Sequence, residues 1–138
     1  MSSGQSIQFA HGDVSHEIIG AFLHVYNRLG NGLAESVYHS AMVIALGMRG
    51  LRTQREMPLA VYFEGIVVGV FRADMVVEQK FLVELKSVEK LLRVHEAQVY
   101  NYLRISKLPA ALLMNFGPQP VYRRLVLPSR SQSNESFP

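Results

Sequence analysis

Before Leu51 the apolar residues of this chain recur every three or four positions; from Leu51 to about Ser87 they recur every second position. No single element can hold both periods, so the change of period sets helices ahead of strands. Upstream, Val14, Ile18, Phe22, Val25, Tyr26 and Leu29 follow Asp13, a residue suited to an N-cap, until the "GNG" run at Gly30 to Gly32 ends the pattern. Ala34, Val37, Tyr38, Ala41, Met42 and Ala45 then form a second helical stripe, which Gly47 to Gly50 stop. Within the two-residue period, Glu64-Gly65 predicts a hairpin turn. Helical spacing returns in "LLRVHEAQVYNYLRISK", with Pro109 just past its end, and "AALLMNF" and "PVYRRLVL" read as two last strands. The order is helix, helix, strands, helix, strand, strand: an α/β or α+β sheet protein.

A chain of 138 residues that is 49% hydrophobic is long enough for one core, expected over residues 13–127, with residues 1–12 and 128–138 as polar, flexible termini. It has no cysteine, which excludes disulfides and thiolate metal sites. No apolar run approaches the roughly 20 residues that span a bilayer, and the N-terminus has no signal-peptide pattern, so the expected setting is cytoplasmic, without a membrane partner. Residues 1–79 hold five Lys and Arg against seven Asp and Glu, whereas residues 80–138 hold nine against four. The basic half suits a polyanion such as nucleic acid, although an ordinary solvated surface accounts for the same balance.

The stretch "VVEQKFLVELKSVEK", Val76 to Lys90, reads as two strands around a loop of Glu78, Gln79 and Lys80. Pairing Val77 with Phe81 sets Asp74 opposite Glu84. It gathers Ala73, Met75, Val77, Phe81, Val83 and Leu85 on one apolar face and Arg72, Asp74, Val76, Leu82, Glu84 and Lys86 on the other. Opposed carboxylates repel, a cost that a purely structural strand pair has no reason to carry. A hard divalent cation, Mg²⁺ or Mn²⁺, would reverse that repulsion, and Lys86 on the same side could orient or deprotonate a water and counter charge on a phosphate. The structural alternative is a surface ion pair between Glu84 and Lys86 with Asp74 solvated.

Five motifs in order resemble the PD-(D/E)XK nuclease superfamily, and within it the GxxExxY family. They are "GLAESVY" with Gly32, Glu35 and Tyr38; Asp74; the "ELK" of Glu84, Leu85 and Lys86; "QVYNY" with Gln98 and Tyr102, similar to the Q-x-x-x-Y element of RecB-like members; and "LLMNFG" from Leu112 to Gly117. The resemblance runs from about Asp13 to Leu127. It implies a restriction-endonuclease-like fold, a mixed central β-sheet flanked by helices, and a metal-dependent nuclease acting on DNA or RNA. It further implies that Glu35, Asp74 and Glu84, with the Leu85 carbonyl, hold Mg²⁺ (or Mn²⁺), and that Lys86 assists the attacking water.

Beside that stand plainer readings of the same residues. Glu35 is also a helix-start acid favoured by the helix dipole. Gln98 and Tyr102, at i and i+4, suit either a phosphate contact and support for Lys86, or the rim of an amphipathic helix. His95 is a substrate contact or a surface or capping group. Arg72 is a phosphate contact or an edge-strand arginine. His11, His16, His24 and His39 show no ligand spacing, and the "NFG" run at Asn115 is expected to end a strand in a turn. The competing function is a catalytically silent nucleic-acid-binding or protein-interaction module on the same fold. A homodimer suits a compact nuclease that must cut two strands.

Overall fold

The computed structural model describes residues 11–128. Its elements follow the expected order: α1 (His11–Leu29), α2 (Glu35–Met48), β1 (Thr53–Phe63), β2 (Ile66–Val77), β3 (Phe81–Lys86), α3 (Arg93–Ser106), β4 (Ala110–Phe116) and β5 (Pro120–Leu125). The strands form one mixed sheet in the order β1-β2-β3-β4-β5. The first three are an antiparallel meander, α3 carries the chain across to β4, which lies parallel to β3, and β5 returns antiparallel. A parallel neighbour needs such a crossover, and the helical run between Leu91 and Lys107 supplies it.

Helices cover both faces. On one, α1 and α2 bury Ile18, Phe22, Tyr38, Met42 and Leu46 against Met75, Val77, Phe81, Val83 and Leu85 and the alternate β4 residues Leu112, Met114 and Phe116. On the other, Val99, Tyr102 and Leu103 of α3 pack on Leu59, Leu82, Ala111 and Leu113. β3 and β4 are therefore apolar on both faces, as expected for strands at the centre of a covered sheet.

The sequence pattern departs from the structure in three places. α1 already includes His11 and Gly12, so Asp13 lies within the helix and is not its N-cap. The remaining residues of the expected mobile ends, 1–10 and 129–138, lie outside the described residues. In α2 the buried set is Tyr38, His39, Met42, Ala45 and Leu46, while Val37 is exposed and Ala34 is the N-cap. Its apolar residues nearly encircle the helix, so spacing alone does not choose the buried side; the Tyr38 ring, stacked 3.9 Å from that of Phe116, does. Ala73 belongs to the α3 layer, not with Met75 and Val77, because β2 changes face at Asp74, where its pairing with β3 ends. The "NFG" run ends a strand as expected, since β4 closes at Phe116 and bends follow over residues 117–119; within it the buried Asn115 accepts from Val88 N at 3.0 Å and donates to Val88 O at 2.9 Å, clamping the segment that leaves β3.

The two hairpin turns explain the strand register. Glu64 and Gly65 both take left-handed φ values, 52° and 77°, as a two-residue turn of this hand requires. Glu78 and Gln79 both take φ of 55° without any glycine. The residue just before β1 offsets that strain: Glu78 donates its N–H to Arg52 O at 2.8 Å and accepts from Arg52 N through its carboxylate at 2.7 Å. Val77 does pair with Phe81, Val76 with Leu82 and Met75 with Val83, the register that the apolar pattern requires.

Gly117 tests this packing. A Cβ there would fall 2.5 Å from Val88 O and 2.6 Å from Asn115 Nδ2, and its carbonyl already accepts from the Tyr26 hydroxyl at 2.6 Å. Gly117→Ala should lower the unfolding free energy by about 1–3 kcal/mol in urea titration, the range for overpacking a tight site. Gly47→Ala, where a Cβ meets nothing within 4 Å, should not destabilise.

Candidate active site

The loop between α1 and α2 sets the position of Glu35. Gly32 sits at φ 86°, open to glycine and strained for other residues, and donates its N–H to Phe116 O at 3.3 Å. The buried Tyr38 hydroxyl donates to Gly30 O at 2.7 Å and accepts from Leu33 N at 3.1 Å. In G-x-x-E-x-x-Y, then, the glycine and tyrosine fasten the loop, and the acid between them starts α2. Glu35 is exposed there and lines a cleft of about 290 Å³ with Ser36, His39, Glu56, Arg72 and Asp74.

The regular β2–β3 ladder ends at Met75 and Val83. Asp74 and Glu84 come next, and here side chains replace backbone acceptors: Asp74 N donates to Glu84 Oε2 at 2.7 Å, and Leu85 N donates to Asp74 Oδ2 at 2.8 Å. The strands part around two interlocked carboxyl groups. Beyond the split, Lys86 Nζ donates to Gln98 Oε1 at 3.1 Å, and Gln98 Nε2 donates to the Tyr102 hydroxyl at 3.2 Å. Gln98 and Tyr102 therefore lie on the helix beside the hairpin, with Gln98 nearer its end. Among the described residues neither Glu84 nor Lys86 forms an ion pair, so the surface-pair reading does not describe them.

Burial dominates the electrostatics. Glu84, 4% exposed, has its carboxyl pushed up to about 8, first by burial and then by the charge of Asp74; its bond from Asp74 N and the Lys86 charge oppose this only in part. Burial also raises Asp74, against the lowering effects of the Leu85 N–H and of Lys86. Glu35 adds repulsion to both. Tyr102 is raised by its own burial and by the two acids, which keeps its hydroxyl protonated.

Oxygen donors and crowded, costly anions are the chemistry that suits a hard divalent cation, so the residues present fit one. Among the described residues no three His, Asp or Glu side chains gather into a closed ligand group. Asp74 and Glu84 are the pair that interlocks here, and Glu35 lines one cleft with Asp74.

Arg72 is exposed on the cleft wall beside Glu35 and Asp74. His95 is occupied differently: its Nδ1 accepts from Leu92 N at 2.9 Å and its own N–H donates to Leu92 O at 3.0 Å, so it caps α3. His39 escaped the sequence pattern. It is buried one turn after Glu35, its Nε2 is 2.8 Å from Asp74 O, and its Nδ1 is 3.2 Å from Arg55 Nη2. A carbonyl only accepts and a guanidinium only donates, so these two partners require the neutral ring with its proton on Nε2. The signal available was its i+4 spacing from Glu35.

A pH prediction follows from Glu84. Its ordinary value of 4.5 holds in the unfolded chain, so between about 4.5 and 8 the folded protein carries a proton that the unfolded chain has released. Without metal, stability should fall as pH rises through that window, by up to about 1.4 kcal/mol per pH unit, and level off above it. Asp74 acts in the same direction. Urea titrations in EDTA across this range should show the slope in the wild type and a much flatter profile in Glu84→Gln, which keeps an acceptor for Asp74 N.

A family model for the PD-(D/E)XK nuclease superfamily matches residues 12–125, which include every residue of this site. No curated protein sequence matches the chain. Among solved structures, one titled "Crystal structure of SSO0001" superposes with a TM-score of 0.53 and 18% identity, over 72% of this chain and 53% of that one. The chain thus spans about half the length of that protein, and the likeness bears on the fold alone. The mixed sheet flanked by helices is restriction-endonuclease-like. With the family match covering the whole sheet and the acids held where its central ladder opens, the chain belongs to the PD-(D/E)XK nuclease superfamily.

Proposed function

We propose that the protein is a metal-dependent nuclease of the GxxExxY type that hydrolyses phosphodiester bonds of DNA or RNA. The observation that carries this reading is the opening of the β2–β3 ladder around Asp74 and Glu84, with Lys86 directed by a neutral amide and not neutralised by a carboxylate. A strand pair serving structure alone gains nothing from two buried acids.

Asp74 and Glu84, with the Leu85 carbonyl and Glu35 from across the cleft, are the residues that would hold Mg²⁺ or Mn²⁺. When bound, such an ion polarises the phosphate and stabilises the leaving oxygen. The chain's own groups do the rest. As the ammonium held by Gln98 and Tyr102, Lys86 positions the attacking water and opposes the charge that builds on the phosphate; only its neutral amine would draw off the water's proton. Arg72 contacts a phosphate along the cleft. His95, with Nδ1 committed to capping, retains only its other nitrogen for substrate. We read residues 13–127 as one such domain, acting in the cytoplasm and able to pair as a homodimer where two strands are cut.

Thermal melts with and without Mg²⁺ or Mn²⁺, run beside cleavage assays on single- and double-stranded DNA and RNA, test this reading. Metal should raise the melting temperature of the wild type, because it binds the folded site and not the unfolded chain. Asp74→Asn and Glu84→Gln should lose both that rise and cleavage. Lys86→Ala should keep the rise and lose about 10²-fold or more in rate, the scale of a positioned proton-transfer or electrostatic group. A wild type that neither shifts with metal nor cuts any nucleic acid would put the binding-module reading in its place.

A further inference from the structure

An open groove of about 450 Å³ runs between the β1–β2 hairpin and α3. Gln98 and Tyr102, the pair that reaches Lys86, form part of its wall, so it continues directly from the candidate active site. The cause lies in strand length. β2 has twelve residues and β3 six, so the hairpin runs on past Asp74 with β1 as its only strand partner, and α3 stands beside it.

Leu59 and Ala73 are sealed against α3, whereas Phe71, opposite Leu59, is still 48% exposed. Val61 continues this face, and its partner Gly69 adds no side chain; a Cβ there would meet nothing within 4 Å. Across the groove stand Val94, Ala97 and Ile105, with Asn101 and Arg104 as the polar residues. The Phe71 ring lies 5.8 Å from that of Tyr102, tilted by 41°. Arg104 donates to the Asn101 carbonyl oxygen, which leaves the Asn101 amide hydrogens as donors. The lining includes one cation and no carboxylate. An exposed aromatic face, an apolar wall, an amide donor and a cation together match one ligand chemistry: a flat heteroaromatic ring on an anionic backbone.

We infer that this groove is a subsite for a nucleobase beside the phosphate to be cut, stacked on Phe71, with Asn101 at the base edge and Arg104 at a flanking phosphate. A base inside a duplex has both faces covered by its neighbours and cannot enter, so the substrate is single-stranded or locally unpaired nucleic acid. The inference rests on the proposed nuclease reading and narrows its substrate class.

Fluorescence anisotropy in EDTA, with a short labelled single strand and a duplex of the same sequence, measures this binding apart from cleavage. The wild type should bind the single strand more tightly. Phe71→Leu keeps an apolar side chain but removes the π face, and should weaken single-strand binding by about fivefold or more, the lower end for one stacked base. Phe71→Trp should restore it. Equal binding by the wild type and Phe71→Leu, or a duplex bound as tightly as the single strand, would overturn the subsite. So would a wild-type dimer in sedimentation that Phe71→Leu dissociates without changing nucleic-acid affinity, which would make the face a contact between copies. Cleavage measured in parallel keeps the two ideas apart. Cutting without a Phe71 effect leaves the nuclease and removes the subsite; Phe71-dependent binding with no cutting in Mg²⁺ or Mn²⁺ does the reverse.

Discussion

Two backbone N–H groups at the centre of the sheet, those of Asp74 and Leu85, donate to carboxylates and not to carbonyls of the neighbouring strand. Every other feature of the candidate site depends on this exchange. It satisfies the two donors that the parting strands would otherwise leave unpaired, and so permits the sheet to open where it is most deeply covered. It also holds both acids in fixed orientation, at the cost of burying charge: Glu84 is raised to about 8. The arrangement stores electrostatic repulsion that protons relieve at low pH and that a divalent cation is suited to relieve at neutral pH.

The surrounding framework holds that opening from two sides. On the α2 side, His39 donates to the Asp74 carbonyl, and Arg55 fixes the tautomer that allows it. On the α3 side, the Asn115 amide clamps Val88, the second residue after Lys86, while Ser87 donates to Leu33 O at 2.6 Å and ties the same segment to the loop before Glu35. The Tyr38–Phe116 stack joins α2 to β4 directly. Acid, lysine and the loop carrying Glu35 are thus linked through short-range contacts, the kind of rigid support that holds a site in a productive geometry.

The hairpin that projects beyond β3 has a different character. Its apolar residues are largely uncovered: Tyr62, Phe63, Ile66 and Val68 are all more than 60% exposed. Where the same hairpin approaches α3, its surface becomes the groove that leads from Tyr102 and Gln98.

Much of this was legible in the sequence because it rests on local periodicity. The switch from helical to two-residue spacing fixed the element order. The apolar residues from Met75 to Leu85 fixed the hairpin register, since a one-residue slip would turn Val77, Phe81 and Val83 out of the core. That register alone placed Asp74 beside Glu84, and the i, i+4 spacing of Gln98 and Tyr102 placed them on one helix face. What the tertiary structure decided has no periodic signature. Ala73 changes layer just past the point where the β2–β3 pairing ends. α2 turns its Tyr38 and His39 side inward because Phe116, far away in sequence, offers the stacking surface. Asn115 acquires its role from a pair of hydrogen bonds to Val88 and His39 from one to Asp74, contacts between segments that no spacing rule connects. Periodicity reports which side of an element is apolar; it does not report what stands opposite, and the partners of buried polar groups are set by that alone.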